Sequence, residues 1–385
     1  MIHALIVLLG VSALAVAAGY GTLALVAVLC WHRQQQPLLR SSKLPPVTVL
    51  KPLCGDEPHL YENLRSFCEQ EYPEFQVIFG VRDATDRALR VAERLRHEFP
   101  SLPIEVVVSS QLHGSNRKVS NLINMLEAAR HELLVVADSD AFVRPDYLAN
   151  VTAPLLDSAV GLVTCIYRDI PTQQVWSRLG AMYVNEWYMP SVLLAWLFGH
   201  NGYVSGQTIC IRRDTLAAAG GLPLIASHLA DDYKLGELVR CLGQRIVLSR
   251  YLLKTEHYEP SLVFLSRHEL RWMRTLQILR PRSFRWLFLS FSLPLAIVGA
   301  LLVAREPALQ TSAHLLALIA IISRLALHFV HRFGEKRSWL ADLWLLPARD
   351  LLIVWIWCQT FFTSRLTWRG SEFDISADGI MRKTS

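Results

Sequence analysis

Leu133-Leu134-Val135-Val136-Ala137-Asp138-Ser139-Asp140 is a run of consecutive apolar residues that ends, without a break, in a pair of aspartates. An apolar run of this length with no polar alternation reads as a strand buried on both faces, as in a parallel sheet. The carboxylates then fall on the exposed tip of the strand. Residues two apart in an extended chain point the same way, so Asp138 and Asp140 can face one site.

Working outward from this strand, 47–53, 76–82 and 104–109 are similar short apolar or β-branched runs, while 58–70, 85–99 and 117–130 carry helical periodicity. Strands alternating with helices of that length predict an α/β domain with a mostly parallel sheet covered on both faces. Such sheets bind ligands outside the carboxyl ends of their strands. Asp83 stands at one of those ends, and the Asp138/Asp140 pair at another. A hard divalent cation, Mg²⁺ or Mn²⁺, commonly meets a nucleotide in this way, held by one or two carboxylates and by phosphate oxygens. An isolated D-x-D also suits a solvated turn. Further along, Asp231-Asp232 opens a helical stretch at 234–242. One aspartate is enough to cap a helix, so the second points to a site. His268, Arg271 and Trp272 come just before a strongly apolar region, where an arginine and a tryptophan can equally serve as interfacial anchors.

Hydrophobic residues make up 52% of the 385-residue chain, yet charged residues still reach 19%, so the apolar excess must be local. It concentrates in 2–31, 286–303, 309–330 (interrupted by Arg324) and 339–363 (interrupted by Asp342, Pro347, Arg349 and Asp350). The first is long enough to cross a bilayer, and too long for the apolar part of a cleaved signal peptide. Arg33, Arg40 and Lys43 follow it; Arg267, Arg271, Arg274, Arg280, Arg282 and Arg285 precede the second; Arg332, Lys336 and Arg337 follow the third. By the positive-inside rule, the large middle segment is cytoplasmic. A crossing by the fourth segment would put Arg365, Arg369, Arg382 and Lys383 on the wrong side, which favours an interfacial or re-entrant helix around Pro347. The net charge of +6 is explained by basic residues crowding these borders, and nucleic acid is not an expected partner. The cysteines form no C-x-x-C pair and read as reduced and buried. The aromatic run 187–199 is too short to span and fits an element at the membrane interface.

The order of these pieces resembles the D, DxD, (E/D)D, QxxRW series of inverting family 2-like glycosyltransferases of the GT-A fold. Those pieces are Asp83, Asp138-x-Asp140, Asp231-Asp232 and His268-x-x-Arg271-Trp272. The chain looks closer still to the ceramide glucosyltransferase family (family 21), including the bacterial branch that glycosylates hopanoids. The residues that carry this likeness, between Pro46 and Gly370, are Lys51-Pro52-Leu53, Lys118-Val119-Ser120-Asn121-Leu122, Asp138-Ser139-Asp140, Gly206-Gln207, Leu229-Ala230-Asp231-Asp232-Tyr233, His268-x-x-Arg271-Trp272-x-Arg274-Thr275, Pro347-x-Arg349-Asp350-Leu351 and Trp368-Arg369-Gly370. His268 departs from the Gln or Arg of many relatives.

The resemblance implies a GT-A domain at 46–283 on an N-terminal anchor at 1–32. C-terminal membrane segments at 284–364 follow, two spans plus a third span or an interfacial or re-entrant helix, and then a tail at 365–385. It implies nucleotide-sugar contacts from Lys51, Asp83, Lys118, Asp138 and Arg271, a divalent metal on Asp138 and Asp140, and Asp232 as general base. Asp231, His268, Arg271, Trp272, Gly206 and Gln207 belong to the acceptor and diphosphate region. The implied reaction moves glucose or N-acetylglucosamine from a UDP-sugar to a membrane-lipid hydroxyl, with inversion. A hopanoid polyol such as bacteriohopanetetrol is the favoured acceptor and a ceramide the alternative. The expected location is a bacterial inner membrane, multi-pass, with the catalytic domain cytoplasmic. A processive polysaccharide synthase would share the donor site but need a larger membrane bundle. A non-catalytic membrane protein would leave acidic pairs at strand ends without a purpose.

Overall fold

The computed structural model describes residues 1–33, 44–55, 57–330, 340, 342–362, 365–368 and 371–383. Arg40, Lys43, Arg332, Lys336, Arg337, Arg369 and the start of the expected linker at 42–46 lie outside the described residues. The chain forms two compact units. One is drawn from Gln35–Ile170, His200–Glu256 and Trp368–Ser385; the other from Met1–Gln34, Pro171–Gly199 and His257–Thr367.

The first unit is built on an eight-stranded sheet. Its strands are β1 (Val47–Pro52), β2 (Phe75–Val81), β3 (Ile104–Val108), β4 (Leu133–Val136), β5 (Ala141–Phe142), β6 (Val160–Pro171), β7 (Ile209–Arg212) and β8 (Arg245–His257), in the order β3-β2-β1-β4-β7-β6-β8-β5. β3, β2, β1 and β4 run parallel, as their apolar runs require. The rest of the sheet departs from the mostly parallel expectation. β7 pairs antiparallel with both β4 and β6, and β5 antiparallel with β8. The result is a mixed sheet. Val47, Val49, Phe67, Val77, Phe79 and Val135 pack together in the core on one side. On β2, a side chain at Gly80 would collide with Met125 and Asn121 of the helix Arg117–Leu126. Asn121 Nδ2 instead donates to the Gly80 carbonyl at 2.7 Å, which seats this helix directly on the strand.

The end of the chain also belongs to this unit. Strands Ser371–Ile375 and Met381–Lys383 pair antiparallel. The Met381 N–H donates to the Ser227 carbonyl at 2.8 Å, and the Leu229 N–H to the Gly379 carbonyl at 2.9 Å.

The second unit is helical. Ile2–Arg33 is a single helix of 32 residues, and Leu5, Leu8, Leu9, Leu23 and Val26 are exposed along it. It and Pro307–Val330 are long and apolar enough to cross a bilayer. The run at 286–303 is not one unbroken helix: a 3-10 turn at Leu287–Ser290 precedes the helix Ser292–Val303. Pro294 has no N–H to give and is tolerated only in a first turn, so the helix must begin close to it. Among the described residues of the run at 339–363, a 3-10 turn at Leu343–Leu345 precedes the helix Leu346–Gln359, which has Pro347 in its first turn. Leu302 and Val303 lie beside Gly10, while Ser292 and Ser323 lie beside Gly21. His3 Nε2 meets Glu306 at 2.7 Å, and Thr22 Oγ1 meets Ser323 Oγ at 3.2 Å. Ser292–Val303 therefore runs antiparallel to the first helix, and Gln310–Val330 returns parallel to it. The aromatic stretch at 187–199 forms the π-helical turn Val184–Tyr188 and the helix Met189–Leu197.

All the cysteines are free, but Cys54, Cys241 and Cys358 are exposed rather than buried. Cys54 sits in the loop after β1 and Cys241 at the last position of the helix Asp231–Cys241, where the chain leaves the core.

Candidate active site

β4 ends at Val136, and the tip Ala137–Asp140 carries the two carboxylates past the sheet edge. Lys51, expected on the donor, is wholly buried at the end of β1. Its Nζ lies 3.7 Å above the Phe67 ring and donates to the Asp138 carbonyl, holding the tip from beneath. Burial draws this ammonium down to about 7, against the opposing pull of Asp140 and Asp138. From the helix Arg117–Leu126, Lys118 places its ammonium 2.5 Å from Asp138 Oδ1 and 3.4 Å from the Gly206 carbonyl. Burial would lower its pKa, but Asp138 and Asp231 outweigh that and hold it above the ordinary lysine value.

Asp231 and Asp232 open the helix Asp231–Cys241, and neither acts as its cap. Asp232 Oδ2 accepts the Gly206 N–H at 2.8 Å, and Asp231 Oδ1 accepts from Asn116 Nδ2 at 3.2 Å. Burial, with the neighbouring charge of Asp231, pushes the Asp232 carboxyl up to about 6 although Lys118 opposes it. Burial also raises Asp231, with Lys118 pulling the other way. Gly206 is the point where these groups meet. A Cβ built there would lie 2.9 Å from Lys118 Nζ and 3.5 Å from both Asp138 Oδ2 and Asp232 Oδ2. Gly206→Ala is therefore expected to push Lys118 off Asp138 and lower kcat by about 10- to 100-fold, the scale of a misplaced reacting group. Steady-state kinetics beside a thermal melt checks this. A variant with unchanged kcat would mean that the gathering at Gly206 carries no function.

Asp140 faces Gln207, whose Nε2 donates to Asp140 Oδ2 at 3.3 Å. Asp140 Oδ1 and Gln207 Oε1 are both buried without a hydrogen-bond partner. Burial, then the charges of Asp138 and Glu57, push the Asp140 carboxyl up to about 7. Carboxylates crowded like this, with orphaned oxygens beside them, fit a hard oxygen-seeking cation. Among the described residues no set of three or more His, Cys, Asp or Glu side chains forms a complete cage.

The structure thus brings together Lys51, Lys118, Asp138, Asp140, Gly206, Gln207, Asp231 and Asp232. Asp83 is exposed after β2, and its carboxylate accepts the Thr85 N–H and O–H at 2.8 Å each, which holds it below the usual range. His268, Arg271 and Trp272 are on the helix Leu262–Leu279 of the helical unit. There His268 Nδ1 meets Glu259 Oε1 at 2.6 Å, and Trp272 stacks on Tyr183 with ring centroids 5.5 Å apart. Two contributors were not foreseen. Asn116 caps the helix Arg117–Leu126 and reaches Asp231, while Glu57 accepts the Ser139 hydroxyl at 2.5 Å. An asparagine just before a helical pattern is a cap signal that could have found the first. A lone loop glutamate gives no such signal.

A mixed sheet with acidic side chains gathered at the strand ends is the architecture of a GT-A glycosyltransferase. The chain belongs to glycosyl transferase family 21, whose model matches residues 9–381. It is 26% identical over 224 residues to ceramide glucosyltransferase 1 of Caenorhabditis elegans, a match covering 57% of this chain and 47% of that one. It is 21% identical to ceramide glucosyltransferase 3 of the same organism, over 90% of this chain and 76% of that one. The chain thus spans about half the length of the first relative and about three quarters of the second. In fold it is similar to a mannosyltransferase from Pyrobaculum calidifontis solved with GDP-Man and Mn²⁺. The TM-score is 0.52 at 19% identity, over 92% of this chain and 96% of that one.

Proposed function

We propose that this glycosyltransferase moves glucose or N-acetylglucosamine from a UDP-sugar to a hydroxyl of a membrane lipid, inverting the anomeric centre. The observation that carries the reading is the meeting of Asp138, Lys118 and Asp232 around Gly206. In it, Asp232 accepts the proton of the acceptor hydroxyl as the oxygen bonds to the anomeric carbon. The bond from that carbon to the diphosphate breaks on the opposite face, and UDP departs with the electron pair. One displacement inverts the centre. Asp140, Asp138 and Gln207 would hold a divalent cation, a reading supported by the likeness in fold to a mannosyltransferase solved with Mn²⁺. Bound there, Mg²⁺ or Mn²⁺ would offset the charge building on the departing diphosphate. Lys118 fixes Asp138, and Lys51 fixes the backbone of the tip. On the motif alone, we assign Asp83 to the uridine, Arg271 to the diphosphate, and Trp272 with His268 to the acceptor side.

The lipid acceptor rests on the names of the relatives and on the exposed apolar length of Ile2–Arg33. A helix from a soluble core would bury most of that surface, whereas only 22% of its apolar window is buried. We read the chain as a multi-pass protein of a bacterial inner membrane with the sheet unit in the cytoplasm, and 339–363 as an interfacial or re-entrant segment. Both a hopanoid polyol and a ceramide present a neutral hydroxyl, and the relatives speak for the ceramide end. Purified protein incubated with UDP-Glc or UDP-GlcNAc and a total lipid extract should yield a glycolipid heavier by one sugar in mass spectrometry. No new glycolipid from either donor would end this reading.

A further inference from the structure

The segment 226–230 leads directly into Asp231 and Asp232, and it is held from two sides. On one side is Asn116, wholly buried at the start of the helix Arg117–Leu126. Its N–H donates to the Ala226 carbonyl at 2.8 Å, and its Nδ2 to the His228 carbonyl at 2.9 Å and to Asp231 Oδ1 at 3.2 Å. Its Oδ1 accepts the Lys118 and Val119 N–H groups at 3.0 and 3.2 Å. One side chain thus ties the helix of Lys118 to the loop of the aspartates. A Cβ at Gly114 would collide with the Ala226 carbonyl, so the two backbones are already in close contact.

On the other side is the hairpin of Ser371–Ile375 and Met381–Lys383, which follows the last described helix in the chain. The Met381 N–H donates to the Ser227 carbonyl at 2.8 Å, and the Leu229 N–H to the Gly379 carbonyl at 2.9 Å. These two bonds flank His228 and Ile380, which makes them a non-hydrogen-bonded pair of an antiparallel bridge. The hairpin closes on itself through other groups, the Ser376 N–H donating to the Ile380 carbonyl at 3.0 Å and the Gly379 N–H to the Ser376 carbonyl at 2.9 Å. Phe373 and Met381 are buried, which holds it in place. The helix Asp231–Cys241 cannot fix its own start in this way, because Ala230 at the cap position offers no capping side chain. The lie of the two aspartates therefore depends on 226–230, and a misplacement of about 1 Å at a reacting group can cost about 100-fold in rate.

We propose that this hairpin is a positioning element of the active site: by pinning 226–229 against Asn116 it fixes Asp232 on Gly206, opposite Lys118. The proposal rests on the reading of Asp232 as the base.

The test uses full-length variants, with transfer from UDP-Glc or UDP-GlcNAc to the total lipid extract as the assay and a thermal melt beside it. Met381→Pro removes the N–H given to Ser227. It should lower kcat by about 10- to 100-fold and leave KM for the UDP-sugar within about threefold of wild type. In an Asp232→Asn background the same change should cost nothing further, because residues acting through one group are not additive. A loss due only to weakened folding would multiply in full. Rescue gives a second reading. A non-hydrogen-bonded antiparallel pair has its Cα atoms about 4.5 Å apart, within the reach of a disulfide. His228→Cys with Ile380→Cys, added to Met381→Pro, should therefore regain kcat on oxidation and lose it on reduction, with wild type carried through the same treatment. If Met381→Pro does not fold, Gly379→Ala takes its place. Gly379 has φ +79° with open space around it, so a methyl there strains only the backbone whose carbonyl Leu229 uses. Wild-type kcat in the folded variant, or a loss that persists in full on Asp232→Asn, would overturn the proposal. Should Asp232→Asn be crippled while the hairpin variant is not, the hairpin is rejected and the base stands. Wild-type turnover in Asp232→Asn would instead remove the base, and the hairpin's role with it.

Discussion

Asp232→Asn should lower kcat by about 10²- to 10⁴-fold, the range that a positioned general base contributes. The amide keeps the size of the carboxylate, and its oxygen can still accept the Gly206 N–H that Asp232 accepts at 2.8 Å. Local structure and donor binding should therefore survive, with KM for the UDP-sugar within about threefold of wild type. The pH profile supplies an independent reading. With its pKa pushed up to about 6 by burial and by Asp231, the Asp232 carboxylate is mostly ionised at neutral pH. It loses its proton-accepting form as the pH falls through 6. In the wild type kcat/KM should fall on that acid side by about tenfold per pH unit, and in Asp232→Asn the residual rate should no longer follow this limb. A variant that keeps substantial turnover with the same acid limb would assign the base elsewhere.

Removal of divalent metal should stop turnover outright, with recovery on adding Mn²⁺ or Mg²⁺. The basis is electrostatic. Asp140 is raised to about 7 by burial and by two neighbouring carboxylates, and its Oδ1 has no donor. Two positive charges at that oxygen would relieve the repulsion that raises this carboxyl. Asp140→Ala should accordingly leave less than about a thousandth of the wild-type rate, with the melting temperature retained or raised, since a crowded buried carboxylate has gone. Gln207→Leu is a milder probe of the same place and should raise the metal concentration needed for half-maximal rate by about tenfold. Activity indifferent to chelation would remove the cation from the reaction.

The parallel half of the sheet was legible because β1, β2 and β4 are buried on both faces and leave near-continuous apolar runs. The antiparallel half was not. β7 is only four residues long and β5 only two, while β6 and β8 carry charges such as Arg168, Asp169, Arg250 and Lys254 within their length. Such stretches show neither an apolar run nor clean alternation. Carboxylates at strand and helix ends could be read from position alone. Gly206 and Gln207 could not, because nothing local distinguishes a glycine that must leave room for three side chains from one that only turns the chain. They came from the resemblance. Lys51 also came from the resemblance, which implies a donor contact; the fold shows it buried and donating to the Asp138 carbonyl, a role that no local pattern announces. Proline was the local signal unused at 286–303, where Pro294 stands in the first turn of Ser292–Val303; at 339–363 the sequence reading did turn on Pro347, which stands in the first turn of Leu346–Gln359.

The docking of 379–381 against Ser227 and Leu229 has a topological consequence for a chain threaded through a bilayer. Segments hydrogen-bonded to one another share an aqueous compartment, so the polypeptide must traverse the lipid an even number of times between the sheet and its final strand. Among the described residues between them, only Pro307–Val330 is long and apolar enough to cross, so the return passage falls to a shorter apolar segment such as Ser292–Val303 or Leu346–Gln359. Whichever segment makes it, Arg382 stays on the sheet's side of the bilayer.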